Sequence, residues 1–294
     1  MEAIQQAGSL AVEQSEFEAP AAAPAAAAPR VDTPDWYELL VDAVHEPGQL
    51  AAAHQFFHNY SLANRWLASS QLRAAGLPLL PINTFKGWLS AERPVQKGQK
   101  ASIALIMPVP IRAKKGEDDE DEKGKGKVKF TKFMLRNYWF HLNQTDGKEY
   151  NPDESKRGDW NLTAALDFLE IKESPFEFAS VSDVRLGWAQ GKEIAVSPLE
   201  VHQTYGRLRE MARVLLGHTA EEPAKSVPQE QTMRDIEADT AAYLCAASLG
   251  ISGLEEARLR LQVNLADGAK LRIPDKCAHR AFSAADKLIN AGYC

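Results

Sequence analysis

Apolar residues recur every three to four positions over most of the chain, which is the spacing of helices with one buried face. In the first half this pattern predicts three helices, and a proline or glycine lies near their ends. They cover residues 35–44, 50–58 and 62–75. In the second half the same pattern predicts five helices, at residues 162–169, 199–216, 229–249, 253–265 and 276–291.

The apolar pattern changes between these two groups of helices. Residues 102–111 are apolar and compatible with a strand, and residues 128–142 alternate large apolar with polar or basic side chains. Residues 114–127 between them are only charged residues and glycine, so they predict a solvated loop. Two shorter strands are predicted at residues 176–184 and 193–196. We therefore expect an α+β fold, with a mixed first half and a mainly helical second half that contains a small sheet.

Composition divides the chain further. The length of 294 residues and a hydrophobic fraction of 45% allow two compact domains, predicted at residues 34–158 and 159–294. Residues 1–33 are rich in alanine and proline and predict a disordered tail. Three widely spaced cysteines favour a reducing cytoplasm over a disulfide framework. Without an apolar run of membrane length or a signal-peptide pattern, we expect a cytoplasmic protein that contacts no membrane.

The distribution of charge separates the middle of the chain from the rest. The formal net charge is −6, yet residues 34–158 hold 18 basic and 15 acidic side chains. Six of those acids form one run from Glu117 to Glu122. Aromatic and basic residues also alternate here, a combination that binds single-stranded nucleic acid by stacking and phosphate contacts. Aromatics at strand and helix spacing are equally core residues, and the acidic run is either a solubilising insertion or a competitor of DNA.

Several short motifs in this segment occur together in one known family. Phe57-His-Asn59-Tyr60-Ser61-x-x-Asn64, Gln71, Trp88, Val95-Gln-Lys97-Gly98-Gln-Lys100 and Phe140-x-x-x-Gln144-Thr145-x-Gly147 resemble the N-terminal domain of ArdC-type antirestriction proteins. The resemblance implies a domain that binds single-stranded DNA. The predicted DNA contacts are Tyr60, Asn64, Trp88, Lys97, Lys100, Arg136 and Tyr138. For Asn59 and Gln144 a structural role at turns remains an equal alternative.

The second half contains a zinc-peptidase motif that has lost its ligands. Residues Arg209-Glu210-Met211-Ala212-Arg213 have the frame of HExxH, in which two histidines bind Zn²⁺ and the glutamate is the general base. Guanidinium has no lone pair for a metal. The resemblance extends here, through Leu186-Gly187-Trp188, Glu193–Val196 and the segment Met233–Leu244, to the zincin-like domain of the same family. It implies a vestigial base at Glu210 and the third ligand position at Glu237.

Zinc is the cofactor of the family, but we expect no cofactor and no peptidase activity here, because a catalytic zinc site needs three protein ligands. Our hypothesis is that Arg209 and Arg213 replace the metal by ion pairs with Glu237. The alternative is that both arginines face solvent. Two nearby histidines are not expected to be ligands: His218 is predicted to be a capping or surface residue, and His202 to lie on a helix face.

These observations favour a single-stranded-DNA-binding protein that resembles plasmid or phage antirestriction proteins and carries an inactive peptidase domain. The expected partners are single-stranded DNA and a protein such as a restriction enzyme. Two alternatives remain open. One is an active zinc peptidase with unrecognised ligands, and the other is a protein-interaction module that uses the inactive cleft.

Overall fold

A computed structural model describes residues 34–46, 48–112, 128–150, 158–219, 228–266 and 272–293. The predicted tail at 1–33 and the predicted charged loop, with Glu117–Glu122, lie outside the described residues. The described residues combine helices with two small sheets, so the predicted α+β fold is confirmed. Among them, no helix is both long enough and apolar enough to cross a membrane.

Among its described residues, the first half contains four helices and one antiparallel sheet. The helices are α1 (Trp36–His45), α2 (Gln49–Phe57), α3 (Leu62–Ala74) and α4 (Phe85–Ser90). The strands are β1 (Ile82–Thr84), β2 (Ile103–Arg112) and β3 (Val128–His141). They lie in the order β1-β3-β2, so β3 is central and β2 is an edge strand. A short 3-10 helix, Leu142–Gln144, follows β3.

The second half is mainly helical. Its helices are α5 (Leu162–Leu169), α6 (Gln203–Leu216), α7 (Pro228–Ser248), α8 (Glu255–Leu265) and α9 (Asp275–Ala291). Its strands are β4 (Lys172–Glu173), β5 (Gly187–Gln190) and β6 (Glu193–Val196). β6 is central, parallel to β4 and antiparallel to β5. β5 is thus an edge strand, and the central strand β6 follows it before α6, the helix that carries the degenerate motif.

The predicted helices are all present, with ends shifted by a few residues, but the predicted strand at 176–184 is wrong. That segment is irregular because the carboxylate of Asp183 takes two backbone N–H groups, from Ala179 at 2.9 Å and from Arg185 at 3.1 Å. A side chain that satisfies the local backbone in this way competes with strand pairing. The strand of this region is β5, three residues further on.

The two halves share one buried apolar cluster, which joins α1 and α3 to the helices α6–α9. Polar contacts link them as well. Asp275 accepts hydrogen bonds from the backbone of Trp36 and Tyr37, and Asp286 accepts one from the backbone of Leu62 at 3.0 Å. All described residues belong to one compact unit. Independent folding of residues 34–158 and 159–294 stays a prediction.

Candidate nucleic-acid surface and arginine centre

Tyr60 and Asn64, two of the predicted DNA contacts, have structural roles. The hydroxyl of Tyr60 donates to the carbonyl of Ile82 at 2.9 Å, and burial raises the pKa of Tyr60 to about 12. The amide of Asn64 bonds both backbone groups of Ile106, at 2.7 and 3.0 Å. Gln71, two turns further along α3, does the same for Ala104. The two amides thereby satisfy alternate backbone groups on the outer edge of β2.

Trp88 is a core residue, which corrects the expectation that a base stacks on it. Its side chain is 0% exposed, and its indole N–H donates to the carbonyl of Phe140 at 2.9 Å. The edge of the ring also meets Tyr150 at a centroid distance of 5.0 Å. With both faces covered and its donor satisfied, the ring anchors α4 to β3 and is closed to a nucleotide.

Lys97 and Lys100 lie on the surface, in the segment 93–102 that we call the lysine loop. The loop is attached to the end of β3: the N–H of Gln96 donates to the carbonyl of Gln144 at 2.9 Å, and the N–H of Ser102 donates to the carbonyl of Trp139 at 3.0 Å. Two flexible cations therefore stand beside the aromatic end of β3.

Tyr138 is exposed because of an irregularity in the sheet. Ile103 is opposite Trp139, but Ala104 is opposite Asn137, so Tyr138 has no residue facing it on β2. Such a bulge redirects side chains. Trp139 faces the core, whereas Tyr138 is 54% exposed. Arg136 is half-buried opposite Leu105, with a contact from its Nη2 to the sulfur of Met134 at 3.2 Å. It is the less accessible of the two predicted contacts on β3.

Phe85 is a further exposed aromatic, which was not among the predicted contacts. It is 54% exposed at the start of α4. Its ring meets that of Phe140 edge-on, at a centroid distance of 6.2 Å. Asn83, two residues earlier, pairs with Phe140 across β1 and β3. We call Phe85, Tyr138 and Phe140 the stacking surface. The signal in the sequence was its position beside Lys86, within the segment where aromatic and basic residues alternate.

The two arginines of the degenerate motif both pair with Glu210. The Nε of Arg209 donates to Glu210 at 3.2 Å, and the Nε of Arg213 lies 3.2 Å from its other oxygen, outside hydrogen-bond geometry. Each arginine also reaches a second carboxylate. Arg209 approaches Glu200 at 3.6 Å, and Arg213 pairs with Asp235 of α7 at 2.9 Å. We call these five residues the arginine centre.

The predicted ion pairs therefore involve Arg209 and Arg213, as expected, but their partner is not Glu237. Glu237 pairs instead with His218, Nε2 to Oε2 at 2.9 Å, and with Arg280 at 3.3 Å. Residues 235 and 237 of one helix lie about 200° apart around its axis, so they face opposite sides. His218 is buried in this second cluster and not on the surface. His202 precedes α6 as its N-cap and does not lie on a helix face.

A cleft of about 540 Å³ opens beside the arginine centre, between α6, α7 and α8. Arg209, Arg213 and Asp235 line it together with Asp239 and Arg260. Arg260 contacts both oxygens of Asp239 at 3.3 Å. The cations and carboxylates of the cleft thus neutralise each other in pairs across neighbouring helices.

The residues of the arginine centre do not fit a metal ion. Guanidinium occupies both positions at which the motif requires imidazole. The carboxylates Glu210 and Asp235 are held by these guanidinium groups. Within the described ranges, no group of three or more His, Cys, Asp and Glu side chains could hold a metal. The chemistry of this centre is that of an ion-pair network.

Glu210 is the most constrained charge of the network. It is 1% exposed, and its burial raises its pKa, against the opposing effects of Arg213 and Arg209. Gly187 of β5 leaves room for it, since a Cβ there would lie 2.9 Å from Oε1 of Glu210. Oε2 accepts no hydrogen bond from any residue that the structure describes. The arginines therefore stabilise this carboxylate mainly by their charge.

The structure is similar to two crystal structures of the antirestriction protein ArdC from plasmid R388. The metal-free structure is 18% identical, with a TM-score of 0.43 over 78% of this chain and 84% of that one. The Mn(II)-bound structure is 17% identical, with a TM-score of 0.46 over 87% and 97%. No family model and no curated protein sequence matches the chain. The family of these two structures is the one that the sequence motifs resemble.

Replacing Arg213 should destabilise the protein in a pH-dependent manner. We expect R213M to lower the free energy of unfolding by about 3 kcal/mol at neutral pH, because Glu210 would keep a buried charge with one counter-ion fewer. An acid whose pKa is raised by folding binds its proton more tightly in the folded state, so acidification favours the fold. The loss should therefore shrink when Glu210 is protonated. Urea denaturation of wild type and R213M at acidic and neutral pH measures it.

The double variant R213M/E210Q is the control for this prediction. This variant lacks the buried charge at position 210. Its loss of unfolding free energy relative to the wild type should therefore be smaller at neutral pH than that of R213M, and should depend less on pH. An equal deficit of R213M at both pH values would show that packing of the arginine stem, and not its charge, stabilises α6.

Proposed function

We propose that the protein binds single-stranded DNA through the stacking surface and the lysine loop. The observation that carries this proposal is the exposure of two aromatic rings, Phe85 and Tyr138, beside a loop with two exposed lysines. Burying such a ring contributes about 1.5–3 kcal/mol, so a ligand that covers both rings would gain this free energy. Nucleotide bases are flat apolar partners for them.

The geometry favours single strands over duplex. A base can stack on a protein ring only when its own face is free, whereas the bases of a duplex are stacked on each other. Each stacked base contributes about 1–3 kcal/mol, largely irrespective of its identity. The exposed amines of Lys97 and Lys100 are suited to phosphates, whose contacts release counter-ions and depend strongly on salt. We therefore infer binding that prefers single strands and reads little sequence.

Single substitutions on this surface should weaken binding without unfolding the protein. F85A and Y138A should each reduce the affinity for a labelled oligothymidylate by about 1–3 kcal/mol, the contribution of one stacked base. K97A/K100A should lower the slope of log K against log salt by about 1.4, since each phosphate contact on a single strand contributes about 0.7. Fluorescence anisotropy over a range of salt concentrations, with single-stranded and duplex DNA of equal length, measures both.

Matched controls lie in the second half of the chain. Phe168 is 60% exposed on α5, and Lys172 is exposed on β4, so F168A and K172A remove the same side-chain types elsewhere. Both should bind DNA like the wild type. Equal affinity for duplex and single strands, or an equal loss in F168A and Y138A, would contradict the proposal.

We also propose that the second half is a pseudo-metallopeptidase, in which the arginine centre stands where a metal would be. The support is geometric: the two arginines hold Glu210 and Asp235 by ion pairs, and a guanidinium cannot coordinate a metal. Asp235, and not Glu237, is the carboxylate of α7 that faces the motif. A cleft of about 540 Å³ is open beside the arginine centre.

Metal analysis tests this proposal. Purified wild type should contain no stoichiometric zinc and should cleave no casein, whereas R209H/R213H should bind zinc, because two imidazoles and Asp235 make three ligands. Adding D235N should abolish this binding, and adding E237Q should leave it unchanged. Metal content after dialysis and titration calorimetry are the measurements. One tightly bound zinc in the wild type, or loss of binding with E237Q alone, would refute the assignment.

We propose an antirestriction role in addition, resting on the resemblance of the motifs and on single-strand binding. DNA that enters a cell as a single strand would be covered before a restriction enzyme meets it as a duplex. Expression of the protein should therefore raise the establishment of an unmodified conjugative plasmid in a restricting host. Y138A combined with K97A/K100A should lose this effect. Full protection by that variant would separate antirestriction from DNA binding.

A further inference from the structure

Gln144 connects the lysine loop to the end of β3 through every hydrogen-bonding position of its amide. Its Oε1 accepts from the backbone N–H of His141 at 2.9 Å and from the hydroxyl of Ser102 at 2.7 Å. Its Nε2 donates to Oε1 of Gln99 at 3.1 Å and to the carbonyl of Lys100 at 2.9 Å. One side chain thus joins the strand that carries Tyr138 to both sides of Lys100.

The first part of the lysine loop is attached to the same segment. Arg93 donates from Nε to the hydroxyl of Thr145 at 3.0 Å, and from Nη2 to its carbonyl at 3.2 Å. Val95 forms an isolated bridge with Thr145. Gln96 donates from its side chain to Asp146 at 2.9 Å. Between Gln96 and Ser102, the attachments of the loop to this segment that the structure describes pass through Gln144.

Lys97 and Lys100 have long side chains, and nothing in their own packing orients them, since both are exposed. Their positions relative to Tyr138 depend on the backbone of the loop. A lysine contacts a phosphate only if its amine lies near that phosphate when the neighbouring base is stacked. If the loop were flexible in the free protein, ordering it on binding would cost conformational entropy. A preformed loop avoids this cost.

We propose that Gln144 is a positioning residue of the DNA surface, which holds Lys97 and Lys100 in register with the stacking rings. The inference rests on the proposed function. It assigns to Gln144 no contact with DNA. The amide is needed as such: glutamate would keep the two accepted bonds but lose both donated ones, and it would add a negative charge beside the lysines.

A double-mutant cycle tests the inference on the full-length protein. Q144M keeps the length of the side chain and removes its four bonds. We expect it to weaken binding to oligothymidylate about fivefold near 0.1 M salt and to lower the salt slope, because the lysines then contact phosphates less often. In the K97A/K100A background, Q144M should change the dissociation constant by less than about 1.5-fold. Loss of equal size in both backgrounds would show a general structural effect and overturn the inference.

Q71M is the matched control, because the amide of Gln71 also bonds backbone groups, but those of Leu67 and Ala104, which lie outside the lysine loop. It should lower the melting temperature and leave DNA affinity unchanged. Q99M is a milder second variant, which removes one partner of Gln144 from the exposed side of the loop. If Q144M does not fold, Q99M takes its place in the cycle and should show a smaller coupling with K97A/K100A. No coupling between Q99M and K97A/K100A would then overturn the inference.

The outcomes for the inference and for the proposed function are distinct. If K97A/K100A binds like the wild type, the proposed surface is wrong and the inference falls with it. If K97A/K100A weakens binding but Q144M and Q99M do not, the lysines bind DNA and only the positioning role of Gln144 is refuted.

Discussion

The constraint on which the second half depends is the burial of one carboxylate. Glu210 is enclosed by α6, by Gly187 of β5 and by two guanidinium groups. An isolated charge at such a site is so unfavourable that it would be neutralised or the fold would open. Arg209 and Arg213 supply the positive charge. Each of these arginines forms a further ion pair, Arg209 with Glu200 and Arg213 with Asp235. The network thereby links α6 to α7, and it requires a glycine at position 187 of β5.

In the first half, side-chain amides perform the corresponding task for the backbone. An edge strand leaves alternate N–H and C=O groups unpaired, and exposed edges invite pairing with other chains. Asn64 and Gln71 satisfy those groups on β2 from a helix, and Gln144 accepts from the backbone N–H of His141 at the end of β3. Because these amides complete the sheet, the exposed rings of β3 and α4 are not needed to cover it. The residues left at the surface are those available to a ligand.

The sequence predicted the longer helices well, since each has a long apolar period, but it missed the six-residue α4. It also could not separate core from surface among the motif residues. Trp88 and Tyr60 resembled stacking residues, yet their polar atoms bond backbone carbonyls inside the protein. Their partners lie 52 and 22 positions away, respectively, and the local pattern contains no information on such contacts. Tyr138 could be predicted as aromatic and near lysines, but its exposure depends on a bulge in β3, which arises from pairing with β2.

The error at Glu237 has a different origin, because helical geometry already divides the carboxylates of α7 between two opposite faces. Asp235 and Asp239 are four residues apart and share one face of α7, and both line the cleft. Glu237 lies on the other face, where His218 and Arg280 meet it. A helix with carboxylates on both faces needs two sets of counter-charges, and the chain supplies them separately. Choosing between the faces required only the knowledge of which one meets α6.

The two candidate sites are built from different elements, so a substitution in the arginine centre does not alter the residues of the stacking surface. The arginine centre belongs to α6, α7 and the turn before α6, whereas the stacking surface and lysine loop belong to β3, α4 and the segment between α4 and β2. The charges of the centre are paired at distances of 2.9–3.6 Å, so they largely cancel beyond their own neighbourhood. Replacing ligand histidines by arginines is therefore a local change in electrostatics. Under the proposed function, a DNA-binding surface on the first half would therefore not depend on catalysis by the second.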